Sequence, residues 1–174
     1  MKKLVKRIVT LVSALVLAPI FKLNIFAEGD YVVSYEQIKK ITNRVYKYVK
    51  ISKRKLKEIL NFCKDNEMSL PAYVHALYYF NETSKNDKIQ LQYLNAEEIK
   101  RVIYVATVMS LAFKVDEDYS VWNEDIADAL KLSVKEISKA EVEILNAIDW
   151  RAVLLEDRYE IYRNMIDEVI VPFI

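Results

Sequence analysis

Asn95-Ala96-Glu97-Glu98-Ile99-Lys100-Arg101-Val102-Ile103-Tyr104-Val105-Ala106-Thr107-Val108-Met109-Ser110-Leu111-Ala112-Phe113 is the stretch that decides the fold. From position 99 onward its apolar residues fall on every side of a 3.6-residue repeat rather than along one stripe. A helix that is apolar all round belongs at the centre of a domain. Asn95, with Glu98 three residues later, has the spacing of a capping box and predicts the start of this helix. Ala106, Ser110 and Ala112 are small enough to let neighbouring helices approach closely. We therefore expect 95–113 to be the most buried helix of the protein, with Val105 and Met109 shielded from water.

On either side the pattern is amphipathic and punctuated by serine. From Ser34 to position 50, Ile38, Ile41, Val45, Tyr46 and Val49 recur at helical spacing, with Lys39, Lys40, Asn43 and Lys47 on the opposite side. Ser52 can cap a second helix that turns Leu56, Ile59, Leu60 and Cys63 inward, ending at Asp65-Asn66-Glu67. Ser69 caps a third. Pro71 suits its first turn, where a backbone N–H would lack an intrahelical partner anyway. That helix is expected to carry Val74, Leu77, Tyr78 and Phe80 inward, and the polar stretch 81–88 breaks it. Beyond the central helix a short helix is predicted from Trp122 to Leu130. Another runs from Ser133, with Glu136 after it, to Ile148, and a last amphipathic stretch covers 155–169.

Composition narrows the function. Hydrophobic residues make up 53% of the 174, so the chain can bury a core. Gly29 is the only glycine, which excludes phosphate-cradling loops and dinucleotide folds and leaves too few turn residues for a sheet protein. His75 and Cys63 are likewise the only residues of their kinds. Structural zinc sites usually need four such ligands, and a Cys-His nucleophile pair needs its members side by side. Cys63 reads as a small buried hydrophobe and His75 as a partly buried helix residue. We expect no metal, no cofactor and no enzymatic activity. Twenty-six basic residues against 25 acidic give a net charge of +1, with no overall pull toward nucleic acid. Basic residues do gather along 47–57. They read either as the solvated face of two helices and their junction or as an anionic docking surface, and no base-stacking motif accompanies them.

The second half of the chain carries a resemblance. Leu111-Ala112-Phe113-Lys114-Val115-Asp116-Glu117 resembles the end of the central helix of the cyclin box, which in that family reads Leu-Ala-Ser-Lys-Phe followed by acidic residues. Asp118-Tyr119-Ser120, Asn123, Ile126-Ala127, Leu132-Ser133, Glu136 and Glu141 fall at spacings seen in the Pho-type cyclins of fungi and protists. Ile144-Leu145-Asn146-Ala147-Ile148-Asp149-Trp150 resembles the Leu-x-x-Leu-x-Phe ending of the fifth box helix. The resemblance implies an all-α fold: a cyclin-like five-helix box over 52–150, a flanking helix over 31–50, and a C-terminal helix over 151–174. The residues after Trp150 are too few for a second box.

The resemblance also implies a function and a site. Family members are regulatory subunits that bind and activate cyclin-dependent protein kinases. Two charged residues, a lysine ending the third box helix and a glutamate within the fifth, reach the kinase's regulatory helix. Lys114 and Glu141 stand at those positions. Held on adjacent helices, such a pair can bond backbone carbonyls and amides of a partner helix, and a kinase needs that helix placed inward. The two are expected near each other on one exposed face. Leu56-Lys57-Glu58-Ile59-Leu60 departs from the substrate-docking Met-Arg-Ala-Ile-Leu of cell-cycle cyclins by its Glu58, which speaks against substrate recruitment there. Phe113 replaces the family's serine.

The first 27 residues are a separate matter. Lys2, Lys3, Lys6 and Arg7 precede an uncharged apolar run over 8–21, and a cut after Ala27 would complete the form of a secretory signal peptide. The run is short for a membrane span, which needs about 20 apolar residues. Residues 1–27 therefore read either as a signal peptide or as an apolar leading helix packed on the domain, and a membrane partner is expected only if they stay as an uncleaved anchor. A working cyclin belongs in cytoplasm or nucleus, whereas a cleaved signal would make the protein secreted. The alternative function is accordingly an exported or host-directed helical interaction protein that uses the same fold without activating a kinase.

Overall fold

The computed structural model describes residues 33–116 and 121–167. The stretch 1–27, read above as signal peptide or leading helix, lies outside the described residues. So do Glu117, Asp118, Tyr119 and Ser120 and the end of the C-terminal stretch, 168–174.

Eight helices and no strand make up the regular structure of the described residues. They are α1 (Tyr35–Tyr48), α2 (Lys53–Asp65), α3 (Leu70–Thr83), the single turn α4 (Asp87–Ile89) running into a π-helical turn (Gln90–Leu94), α5 (Glu98–Asp116), α6 (Asn123–Leu130), α7 (Val134–Ala147) and α8 (Glu156–Asp167). The fold is all-α, and α2, α3, α5, α6 and α7 supply the five-helix order that the resemblance predicts.

Serine starts four of these helices. The Ser34 hydroxyl accepts from the Gln37 amide at 3.2 Å while the Gln37 side chain accepts from the Ser34 amide at 2.9 Å, a complete capping box. Ser52, Ser69 and Ser133 accept from the amides of Lys55, Ala72 and Glu136 at 3.4, 3.2 and 3.4 Å. Each satisfies one of the amides that a helix start leaves without an intrahelical partner, typically worth about 1 kcal/mol.

Two expectations need correction. Asn95 does not cap the central helix. It closes the π-helical turn, its amide donating to the Gln90 carbonyl at 2.8 Å, and α5 begins only at Glu98. The Glu98 carboxylate accepts instead from the Ser52 amide at 2.7 Å, so it serves the entry to α2. A three-residue spacing cannot reveal that a carboxylate has an open amide nearer at hand on another helix.

The second correction concerns the centre. Val102 through Val108, Met109, Leu111, Ala112 and Phe113 are buried as expected, but α3 is buried just as fully: every residue over 70–80 is shielded. The core is a packed pair, α3 against α5. Around it α1 and α8 lean on α3, and α7 leans on α5. Tyr78 and Tyr79 of α3 are buried along with the aliphatic residues because their polar tips find partners. Tyr78 and Tyr79 donate to the carbonyls of Arg151 and Ala152 at 3.2 and 2.5 Å. The Tyr104 hydroxyl of α5 meets Thr83 at 2.6 Å. Burying an aromatic ring is favourable once its hydroxyl is satisfied.

Candidate functional site

Lys114 sits in the last turn of α5, where a cation complements the partial negative charge of a helix C-terminus. Glu141 lies midway along α7, whose Ile137, Ala140 and Ile144 pack into the core and so set Glu141 at the rim of that face. Asn123 opens α6, the short helix that follows α5 and packs against α7. The packing of these three helices brings the three side chains together.

Lys114 Nζ donates to Glu141 Oε1 and, at 3.0 Å, to Asn123 Oδ1. Asn123 Nδ2 donates to Glu141 Oε2 at 2.6 Å, and the Ser110 hydroxyl donates to Asn123 Oδ1 at 3.1 Å. The predicted pair is therefore a closed triangle with an amide at its third corner. It is not on an open face. The Lys114 side chain is only 10% exposed and that of Glu141 20%, and Asn123 is bonded to both. Asn123 had no role in the sequence reading. It appeared there only among the spacings that resemble Pho-type cyclins, and nothing local distinguishes an asparagine at a helix start that bridges two charges from one that caps.

The triangle keeps unused capacity. Among the described residues, two of the three N–H donors of the ammonium are engaged, and one of the two lone pairs of each carboxylate oxygen. The donor and acceptor positions left open by the described residues are already oriented, with no rotamer search needed. The sequence neighbours of the two acceptors, Trp122 and Val142, are large apolar residues left 46% and 44% exposed.

Two residues after Lys114, Asp116 turns the other way. Its Oδ2 accepts from the Ser69 hydroxyl at 2.7 Å and its Oδ1 lies 4.0 Å from His75 Nδ1. Burial raises the Asp116 carboxyl above the usual carboxylate range. Burial likewise pushes His75 down to about 4, so the ring is neutral at pH 7. Its Nδ1–H donates to the Pro71 carbonyl at 3.0 Å, and its Nε2 accepts from the Leu154 amide at 3.5 Å. Both ring nitrogens are thus engaged, Nδ1 within α3 itself and Nε2 in tying α3 to the segment that leads into α8. Cys63 is buried on α2, and desolvation pushes its thiol up to about 12, far from the reactive thiolate. Among the described residues, no three His, Cys, Asp or Glu side chains gather into a group that could hold a metal ion, and no helix is long and apolar enough to cross a membrane.

Comparison with known families finds one match: the Cyclin family model covers residues 31–152, more than half of the chain. No curated protein and no solved structure matches it.

Proposed function

This chain belongs to the cyclin family, and we propose that it is a regulatory subunit that docks on and activates a cyclin-dependent protein kinase through Lys114 and Glu141, held by Asn123. Members of the family regulate rather than catalyse, which agrees with the chemistry of His75 and Cys63, both buried and committed to packing. The spacing of Asn123, Leu132-Ser133, Glu136 and Glu141 favours the Pho-type branch and hence a kinase of the sort those cyclins serve.

The observation that carries the reading is the triangle itself. Two helices and a helix start converge to hold one cation and one anion in fixed positions, with a donor and acceptors unspent and exposed Trp122 and Val142 beside them. A buried apolar pair would hold α5 against α7 at least as well, since the desolvation of two charges offsets most of their attraction. Charges kept in such a place are better explained by recognition. Bonds from Lys114 to helix-terminal carbonyls and from helix amides to Glu141 would fix the orientation of a kinase's regulatory helix.

The test uses the full chain against a panel of recombinant cyclin-dependent kinases, reading binding by calorimetry and activation by phosphate transfer to a histone substrate. The parent should bind and activate at least one. The double variant Lys114→Met with Glu141→Gln, verified as folded by circular dichroism, should bind it at least about tenfold more weakly, the loss of one charged hydrogen bond at an interface. A folded double variant that binds like the parent would show that these residues do not dock the kinase.

A further inference from the structure

Among the described residues, Ser138 is the one serine or threonine whose hydroxyl makes no hydrogen bond. Four serines cap helix starts, as described above. Ser84 donates to the Asn81 carbonyl and Ser110 to Asn123, each at 3.1 Å. Thr42, Thr83 and Thr107 donate to carbonyls four residues earlier, at 2.7, 2.6 and 2.7 Å. Ser138 lies in the second turn of α7 and is exposed. A serine inside a helix either bonds back to the carbonyl four residues earlier or points into water. Ser138 takes the second course. It favours the helix less than alanine would, and its hydroxyl adds no bond to the fold.

Its place gives the hydroxyl a use. Residues three and four apart on a helix are neighbours, with about 5 to 6 Å between their Cβ atoms. Ser138 is therefore one turn from Glu141, the anion of the triangle, and from Val142, the exposed apolar residue beside it. Lys135, three residues earlier, and Lys139, the next residue, flank it and are both exposed. Ser138-Lys139-Ala140-Glu141 sets a carboxylate three residues after the hydroxyl, a spacing that suits an acid-directed serine kinase. Ser84 and Ser133 have the same spacing, to Asp87 and Glu136, but their hydroxyls are engaged within the chain.

We infer that Ser138 is a phosphorylation site and that its phosphate closes the docking face around Glu141; the second half rests on the kinase-docking reading above. In the transfer, Ser138 Oγ bonds to the γ-phosphorus of ATP and the bond from that phosphorus to its bridging oxygen breaks. ADP leaves with the electron pair, and the hydroxyl proton passes to the base of the modifying kinase. The phosphate carries about −1.5 to −2 charges at pH 7. Lys135 and Lys139 can pair with it, so the free chain accommodates it. A docking partner does not. It would have to strip water from a dianion beside Val142, and it would meet two anions, phosphate and Glu141, where the unmodified face offers one.

Recombinant casein kinase II with ATP, applied to the folded full chain, tests the acceptor without any docking partner. Tandem mass spectrometry should find phosphate at Ser138 in preference to Ser84 and Ser133. No phosphate at Ser138, or more at either of the other two, overturns the assignment. Calorimetry against the panel of cyclin-dependent kinases, with the modifying kinase removed, then reads the docking face. The phosphorylated parent should bind at least about tenfold more weakly than the untreated one, while the same treatment leaves the affinity of Ser138→Ala where it was. Equal binding by the phosphorylated and untreated parent overturns the closing of the face, and so does an equal loss in Ser138→Ala. An untreated parent that binds no kinase of the panel sinks the docking reading and the closing of the face with it, whereas the phosphate map still decides the acceptor.

Discussion

Removing the Lys114–Glu141 charges one at a time and then together measures how far this pair is withdrawn from water. Take Lys114→Met and Glu141→Gln, which keep side-chain length and remove charge. At a separation of about 4 Å two unit charges attract by about 1 kcal/mol in water and about 4 kcal/mol at the effective dielectric of a partly buried site. With side chains 10% and 20% exposed the pair stands nearer the second case, and desolvation offsets part of it. Glu141→Gln leaves the Lys114 cation with neutral acceptors only, Asn123 Oδ1 among them. Lys114→Met leaves the carboxylate with Asn123 Nδ2. Each single change should therefore cost about 2 kcal/mol, the value of a hydrogen bond to a charged group. The double change should also cost about 2 kcal/mol rather than about 4, because no unpaired charge remains, which gives a coupling of about 2 kcal/mol. Urea denaturation followed by circular dichroism supplies the four free energies, and a chain of this size should lose about 2 to 4 °C in Tm per kcal/mol. Exposed ion pairs couple by about 0.2 to 1 kcal/mol. A measured coupling below about 0.5 kcal/mol would mean that water reaches the pair freely and that the triangle is not the closed arrangement described.

Two further perturbations test the packing. His75 titrates near 4 in the native state against 6.5 in the unfolded chain, so between those values the unfolded state binds more protons and stability falls as pH drops from about 6.5 toward 4, by at most about 3 kcal/mol since Asp116 at 4.0 Å partly compensates the cation. His75→Gln should flatten that part of the urea-midpoint profile between pH 7 and 4.5, and an unchanged slope would rule the histidine out as its source. Lys131 ends α6 in the left-handed region with φ 56°, where a Cβ is strained, so Lys131→Gly should raise stability by about 0.5 to 1 kcal/mol in the same denaturation assay; a loss would show that the strain is absent.

The helices that could be read from the sequence are those whose signals are local. Ser52, Ser69 and Ser133 cap where their spacing to the next apolar run predicts, because a cap is a bond across three residues. The central helix was legible from its composition alone. What escaped was set by distant parts of the chain. Tyr78 and Tyr79 have polar tips, and only the carbonyls of Arg151 and Ala152, more than 70 positions away, make their burial affordable. Glu98 reads as a capping-box residue and acts on Ser52 of another helix. The π-helical turn has no periodicity of its own to read, and Asn86, which caps the turn before it by accepting from Lys88 and Ile89 at 3.0 and 3.2 Å, looks like an ordinary loop asparagine.

The site divides in the same way. Nothing in periodicity pairs Lys114 with Glu141 across 27 positions. Their selection came from the cyclin resemblance, and the fold of α5, α6 and α7 then brings them into contact. The resemblance carried no information about how deep they lie, since depth depends on how α6 packs on the other two helices and on the bonds of Asn123 to both charged side chains. That depth bears on function. A pair on an open surface would have to give up mobile water and two free side chains when a partner docked, at about 0.5 to 1.5 kcal/mol for each side chain immobilised. Lys114 and Glu141 have already been immobilised by folding, with Asn123 and Ser110 as the braces. A kinase docking as proposed would have only to add bonds to the donor and lone pairs that the described residues leave unspent, and the ordering cost would appear in the stability of the free chain instead of in the affinity of the complex. Asn123→Ala separates the two: a positioning role requires that it weaken kinase binding while leaving both charges in place, and a purely structural role requires that it lower stability with binding unchanged.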